Sequence, residues 1–185
     1  IIPLIFAFGL SAQNKIDIGF SESEIVLNTS TGQINGTLVV PVNSQKSPLV
    51  IIVSGSGPTD RNGNSPLGVQ ADTYKMLADN LAKNSIASLR FDKRGIAKSQ
   101  TAMKSESDLL FETYINDVND WISLLKHDKR FYSIIILGHS EGSLIGMATS
   151  TSTKADGFIS LSGAGRPIYE VLEEQLIKQL PYLSK

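Results

Sequence analysis

The segment with the clearest chemical signal is Gly138-His139-Ser140-Glu141-Gly142. It fits the pattern G-x-S-x-G, in which a serine lies on a tight turn between a strand and a helix and its hydroxyl projects from that turn. Residues 133–137 (SIIIL) predict the strand, and the small residues after the pattern predict the helix. The flanking glycines allow the two elements to approach closely. Ser140 is therefore a candidate nucleophile; the alternative is a serine that caps a helix after a glycine turn.

An attacking serine needs N–H groups that stabilise the negative oxygen formed at a carbonyl carbon. One donor is expected from the backbone N–H of Glu141, which follows Ser140 and lies near the positive end of the predicted helix dipole. A second donor is expected from the loop after the third strand. Residues 49–53 (LVIIV) are the third predicted strand, so residues 54–57 (SGSG) are that loop.

Within the 54–57 loop we expect the N–H of Ser56 to be the second donor, with Gly55 and Gly57 permitting the turn. The alternatives are an ordinary glycine turn or an anion-binding nest of the kind found in phosphate loops. A Walker phosphate loop also requires a lysine at a fixed spacing after its glycines, and this sequence has none there.

Alternating strands and helices must position these residues. Apolar runs that predict buried strands alternate with segments whose apolar residues recur at helical spacing. This alternation predicts an α/β fold with a mostly parallel sheet, in which the glycine-rich loops 54–57, 138–142 and 162–165 meet at the carboxyl edge. The predicted strands are 24–28 and 34–40, which form a hairpin, then 49–53, 86–91, 133–137 and 157–161. The predicted helices are 74–82, about 108–126, 140–150 and one opened by Pro167. Asp108 and Glu112 are expected in the first turns of the helix at about 108–126.

The composition narrows the class of protein. The 185 residues are 41% hydrophobic with a formal net charge of −1, which fits one globular domain and offers no basic stripe for nucleic acid. The absence of cysteine excludes disulfides and thiolate metal sites, and two histidines are too few for a histidine-rich metal site. The sequence therefore implies no metal and no cofactor.

Residues 1–12 are expected to be a partial signal peptide. Residues 1–10 (IIPLIFAFGL) are almost wholly apolar, and Ser11-Ala12-Gln13 resembles a small-residue cleavage site. The run is too short to span a bilayer stably, which favours a signal peptide over a membrane anchor. We therefore predict export to the periplasm or the outside of the cell. The alternative is a buried N-terminal strand or short helix.

The sequence resembles the α/β-hydrolase superfamily and, within it, a group of bacterial serine esterases. The resemblance rests on residues 55–64 (GSGPTDRNGN), the GHSEG motif at 138–142 and the strand–turn segment 91–95 (FDKRG), and it extends over residues 34–185. It implies that Ser140 is the nucleophile and that Ser56 and Glu141 supply the oxyanion N–H groups. It further implies a hydrolase core at 13–166 without its last strands, followed by the start of a helical lid at 167–185.

The expected catalytic base and acid are missing from this pattern. In the superfamily the acid and then the histidine follow the serine, and no histidine follows Ser140. His139 adjoins the serine and is expected to face away from its hydroxyl, because adjacent strand residues point to opposite faces. His127 precedes the strand 133–137 and is expected at the opposite end of the sheet. We therefore expect both partners to lie beyond Lys185, and the 185 residues alone to be inactive and poorly soluble.

The function expected from the sequence is hydrolysis of small carboxylic esters through an acyl-enzyme on Ser140. The expected partner is a small-molecule ester, with neither a nucleic acid nor a stable membrane span. The alternatives are a peptidase or an acyltransferase on the same scaffold, because a fold alone does not determine its chemistry. A non-catalytic binding protein is the alternative if the chain ends at Lys185.

Overall fold

The computed structural model describes residues 19–42, 45–153 and 155–183. The predicted signal peptide at 1–12 lies outside these residues and stays a prediction. The described residues form six strands, four α-helices and two 3₁₀ helices. The strands are β1 (Phe20–Asn28), β2 (Gln33–Pro41), β3 (Ser47–Val53), β4 (Ala87–Phe91), β5 (Phe131–His139) and β6 (Gly157–Leu161); the α-helices are α1 (Thr73–Lys83), α2 (Phe111–Leu125), α3 (Glu141–Ser152) and α4 (Ile168–Leu183); the 3₁₀ helices are Ala97–Ala102 and Glu106–Asp108.

The six strands form one sheet in the order β1-β2-β4-β3-β5-β6. The β1–β2 hairpin is antiparallel, and β2 also pairs antiparallel with β4. The pairs β4–β3, β3–β5 and β5–β6 are parallel. The structure therefore confirms the predicted hairpin and the mostly parallel α/β sheet.

The central strand β3 explains the continuous apolar run at 49–53. Leu49, Ile51 and Val53 belong to the core cluster that also contains Trp121 of α2 and Ile145 of α3. The alternate residues Val50 and Ile52 belong to the opposite cluster, with Tyr74, Ala78 and Ala82 of α1. Because helices cover both faces of the sheet, both sets of alternating side chains in this strand must be apolar.

The second helix begins later than the sequence analysis predicted. The Ser105 hydroxyl accepts the N–H of Ser107 and starts the separate 3₁₀ turn Glu106–Asp108, so Asp108 lies outside α2. Leu110 lies inside the predicted helix range but is extended, precedes the first residue of α2 and is 61% exposed. Glu112 does lie in the first turn of α2, as predicted.

The final described helix, α4, follows the β6 edge of the sheet and exposes much of its apolar side. Ile168, Leu172, Leu176 and Leu180 are each exposed by 47–60%. Within the described ranges, no helix is both long and apolar enough to cross a membrane.

A buried ion pair ties the turn after β4 to α2. The Arg94 Nε and Nη2 atoms donate to the two carboxylate oxygens of Asp117 at 2.7 and 2.6 Å, and Asp117 is only 2% exposed. Burial raises the pKa of Asp117, while the adjacent Arg94 guanidinium opposes that rise. The two hydrogen bonds replace the water that both charges lose on folding.

We predict that Asp117→Ala lowers the free energy of unfolding by about 3–5 kcal/mol, because it leaves the Arg94 guanidinium buried without its counter-ion. The matched control is Asp120→Ala on the exposed face of the same helix, which should change stability by no more than about 0.5 kcal/mol. Urea unfolding followed by circular dichroism measures both variants. Equal effects of the two substitutions would contradict the assigned role of the pair.

Candidate active site

Ser140 lies on a strained turn between β5 and α3. Its backbone dihedral angles are φ 54° and ψ −119°, in a region that residues with side chains rarely adopt. Its N–H donates to the carbonyl oxygen of Leu161 at the end of β6, at 2.9 Å. The neighbouring strand therefore fixes the turn while the half-buried Ser140 side chain stays accessible.

The two glycines of the GHSEG motif are required by close backbone contacts. A Cβ on Gly138 would lie 2.6 Å from the Cα of Ser143, and a Cβ on Gly142 would lie 2.6 Å from the carbonyl oxygen of Ser54. Contacts this short force neighbouring atoms to move. The turn thus packs directly against the end of β3, where the 54–57 loop begins.

The 54–57 loop lies beside Ser140. A Cβ on Gly55 would be 3.2 Å from the Ser140 Cβ, and Gly57 has a positive φ of 78°. The N–H of Gly55 donates to the Tyr74 hydroxyl at 3.2 Å. Within residues 19–42, 45–153 and 155–183, neither the N–H of Ser56 nor that of Glu141 donates to a protein acceptor. Two backbone donors are therefore available near the serine.

A buried arginine holds the rest of the GSGPTDRNGN segment in place. The Arg61 N–H and Nε donate to the two carboxylate oxygens of Asp92 at 2.8 and 3.0 Å. Its Nη1 donates to Glu24 and to the Thr37 hydroxyl, each at 3.0 Å. The carbonyl oxygen of Asn62 accepts the N–H of Tyr74 at 3.0 Å, so the same segment caps the first turn of α1.

Two cavities reach Ser56 and Ser140. The larger, of about 690 Å³, lies between α3 and α4, and apolar side chains contribute much of its wall. The smaller, of about 260 Å³, lies beside α1 and is lined by Thr59, Thr73, Tyr74 and His139. The apolar residues of the larger cavity include Phe111, Leu144, Met147, Ile168, Val171 and Leu172.

In the described residues, neither histidine is hydrogen-bonded to Ser140 as a catalytic base would be. The Nδ1 atom of His139 is 2.8 Å from the Tyr74 hydroxyl, and the two rings meet edge to face with centroids 5.9 Å apart. Burial raises the pKa of Tyr74, and its hydroxyl oxygen accepts the Gly55 N–H. His127 is exposed before the amino end of β5, and a nine-residue strand of about 30 Å separates that end from Ser140.

Two contacts to the 54–57 loop were missed by sequence reasoning. Tyr74 was predicted only as part of an apolar helix face, yet its hydroxyl contacts both Gly55 and His139. Lys93 was interpreted only as part of the turn after β4, yet its Nζ donates to the Gly55 carbonyl oxygen and to Glu141. Nothing in the local sequence distinguishes these side chains from an ordinary core tyrosine and a turn lysine.

No group of three or more histidine, cysteine, aspartate or glutamate side chains suited to a metal ion is found in the described part of the chain. The arrangement instead offers a hydroxyl, two backbone N–H donors and an apolar cavity. That set of groups suits nucleophilic attack on a carbonyl compound.

The parallel sheet, the serine turn and the adjoining glycine loop define an α/β-hydrolase fold. A crystal structure of the α/β hydrolase GrgF from Penicillium sp. sh18 matches with a TM-score of 0.64 at 19% identity, covering 89% of this chain and 55% of that one. Est1E from Butyrivibrio proteoclasticus, in its structure with ferulic acid bound, matches with a TM-score of 0.60 at 22% identity over 75% of this chain and 52% of that one.

The chain belongs to the serine aminopeptidase S33 family, whose model matches residues 67–183. It is also 30% identical to Esterase EstD of Thermotoga maritima over 159 residues. That alignment covers 85% of this chain and 36% of EstD, so the chain spans about a third of the length of this relative.

We predict that Gly142→Ala destabilises the protein by at least about 2 kcal/mol, because the added methyl group would collide with the backbone at the end of β3. The matched control is Gly157→Ala in β6, where the nearest atom to an added Cβ is 3.5 Å away. Thermal and urea unfolding of both variants test the difference. A stable Gly142→Ala variant would show that the turn does not require the close contact described here.

Proposed function

We propose that this chain contains the nucleophile and the oxyanion-binding half of a serine hydrolase that cleaves small carboxylic esters. The observation that supports this most strongly is the position of Ser140: a half-buried hydroxyl on a strained turn, beside the N–H groups of Ser56 and Glu141, which have no protein acceptor among the described residues. The similarity to Esterase EstD supports ester hydrolysis as the activity.

In the proposed reaction, Ser140 Oγ attacks the ester carbonyl carbon while a base takes the hydroxyl proton. The carbonyl oxygen becomes an oxyanion and accepts hydrogen bonds from the N–H groups of Ser56 and Glu141; loss of one such donor typically costs about 3–4 kcal/mol. The alcohol leaves with a proton from the base, and water then releases the acid from the acyl-enzyme. We propose that the base and its acid lie beyond residue 185; in the described residues no hydrogen bond links His127 or His139 to Ser140.

The larger cavity favours an apolar acyl or alcohol group. Its volume of about 690 Å³ falls within the size of small-molecule sites, about 300–1,000 Å³. Residues of α3 and α4 line it next to Ser140, so an ester with its carbonyl at the hydroxyl could extend between these helices. We therefore propose a small apolar ester as the substrate.

A peptidase is the second candidate, and the match to the serine aminopeptidase S33 family favours it. An acyltransferase would use the same acyl-enzyme with an alcohol or an amine in place of water. Rates with p-nitrophenyl esters, with aminoacyl p-nitroanilides and with added alcohols distinguish the three. Faster cleavage of the anilides than of the esters would favour the peptidase.

We predict that Ser140→Ala lowers ester hydrolysis by the full-length protein containing this chain to below about a thousandth of the wild-type rate, because the nucleophile is lost. The matched control is Ser150→Ala on α3, whose hydroxyl donates to the Met147 carbonyl oxygen at 2.7 Å. A fluorophosphonate probe should label the wild type and the control but not Ser140→Ala. Retained hydrolysis by Ser140→Ala would overturn the assignment.

We predict that Met147→Trp shortens the preferred acyl chain, because Met147 lines the larger cavity and the indole would fill part of it. The ratio of kcat/KM for p-nitrophenyl octanoate to that for the acetate should fall by about tenfold or more. Met76→Trp is the matched control, because Met76 on α1 is similarly exposed (53% against 51%) and lines neither cavity. An unchanged ratio in Met147→Trp would exclude this cavity as the site for the variable chain.

A further inference from the structure

Lys93 is a buried lysine at the centre of the site, and the proposed reaction gives it no role. It follows β4 in the FDKRG segment, and its side chain is 5% exposed. Its Nζ donates to the carbonyl oxygen of Gly55 at 2.6 Å and to Glu141 Oε2 at 3.1 Å, and it lies 5.4 Å from the centre of the Tyr114 ring. One ammonium group thus joins the 54–57 loop to the residue after Ser140.

The contact with Gly55 determines the direction of the Ser56 N–H. The Gly55 carbonyl and the Ser56 N–H belong to the same planar peptide unit, and in a trans peptide these two groups point in opposite directions. The ammonium holds the carbonyl on the buried side of the loop. The Ser56 N–H is therefore directed away from Lys93, and Ser56 and Ser140 line the same two cavities.

The contact with Glu141 has an electrostatic consequence. The N–H of Glu141 also has no protein acceptor among the described residues, but the side chain of Glu141 is negatively charged, and Glu141 lines the same cavity as Ser56 and Ser140. The Lys93 ammonium partners that carboxylate at 3.1 Å and offsets its charge. The same positive charge polarises the Gly55–Ser56 peptide and makes its N–H a better hydrogen-bond donor.

An ion pair alone does not account for this arrangement. The shorter of the two hydrogen bonds goes to the neutral Gly55 carbonyl rather than to the carboxylate. Gly55 is also held from its other side, because its N–H donates to the Tyr74 hydroxyl. Gly55 is therefore held at its N–H and at its carbonyl group, which belong to the two successive peptide units on either side of its Cα.

We propose that Lys93 is a positioning residue for the oxyanion site, which orients the Ser56 N–H and neutralises the carboxylate beside the Glu141 N–H. The proposal rests on the proposed function of Ser140. Lys93 itself touches neither the substrate nor the reacting atoms. Its contribution should therefore appear in the stabilisation of a tetrahedral oxyanion and not in the binding of the planar ester.

The test compares wild type with Lys93→Met in the full-length protein, with active sites counted by a fluorophosphonate. Methionine has a similar length but cannot donate a hydrogen bond and has no charge. We expect kcat to fall by about 10- to 100-fold with KM within about threefold, since loss of a whole oxyanion donor costs about 100- to 1,000-fold. The inhibition constant of a trifluoromethyl ketone, which adds to serine as a tetrahedral hemiketal, should rise by a similar factor.

Lys98→Met is the matched control, because Lys98 is 64% exposed and pairs with Glu24 at the surface. It should leave kcat and the inhibition constant unchanged. If Lys93→Met lacks a native melting transition, Lys93→Gln replaces it; this variant keeps a donor but loses the charge, and a weaker but measurable rise of the inhibition constant is expected.

The outcomes separate the two proposals. If the fluorophosphonate labels Ser140 in the wild type and the ketone inhibits the Lys93 variant as strongly as the wild type, the role of Lys93 is overturned and that of Ser140 stands. If Lys93→Met has fewer labelled active sites but an unchanged kcat per site and an unchanged inhibition constant, Lys93 is a structural residue and the proposal is also overturned. If the wild type itself is not labelled at Ser140, the proposed function fails and the role of Lys93 fails with it.

Discussion

The close packing of the serine turn against the end of β3 is the constraint on which the rest of the site depends. With no Cβ on Gly142, the start of α3 can lie against the carbonyl oxygens of Val53 and Ser54. This contact brings two loops from neighbouring parallel strands to the same point at the carboxyl edge. The positive end of α3 then lies beside the 54–57 loop, so donors from two separate segments can converge. A wider turn would separate them even with every other residue unchanged.

Packing at the turn does not by itself order the long segment between β3 and α1. That segment is held by buried charges from distant parts of the chain: Arg61 bonds to Asp92 after β4, and its guanidinium also reaches Thr37 on β2. Such a pair is costly to bury unless its hydrogen bonds are satisfied, and here both carboxylate oxygens are used. The turn after β4 therefore holds the segment between β3 and α1 in place, because Asp92 binds Arg61 and Lys93 binds the Gly55 carbonyl.

The parts of this fold that could be predicted from sequence are those with local causes. Continuous apolar runs predict strands that are covered on both faces. The G-x-S-x-G pattern predicts a turn in which a side chain at either glycine would collide with neighbouring backbone atoms. The predicted start of α2 at about residue 108 was wrong. The Ser105 hydroxyl begins a separate 3₁₀ turn, which ends at Asp108. The contacts of Lys93 with Gly55 and of Tyr74 with His139 span 38 and 65 residues, and no periodicity or motif encodes such pairs. They follow from the order of the strands in the sheet.

The strand order also resolves an apparent conflict in the GHSEG motif. In the proposed reaction the Glu141 N–H binds the oxyanion, whereas the Glu141 carboxylate adds a charge of the wrong sign for that role. Because β4 and β5 both neighbour β3, the residues that follow them meet across its end, and Lys93 reaches the Glu141 carboxylate and the Gly55 carbonyl at once. The charge balance of the site therefore exists only when three segments are assembled. The two hydrogen bonds of Lys93 thus depend on the assembled sheet, because the residues that they join follow three different strands.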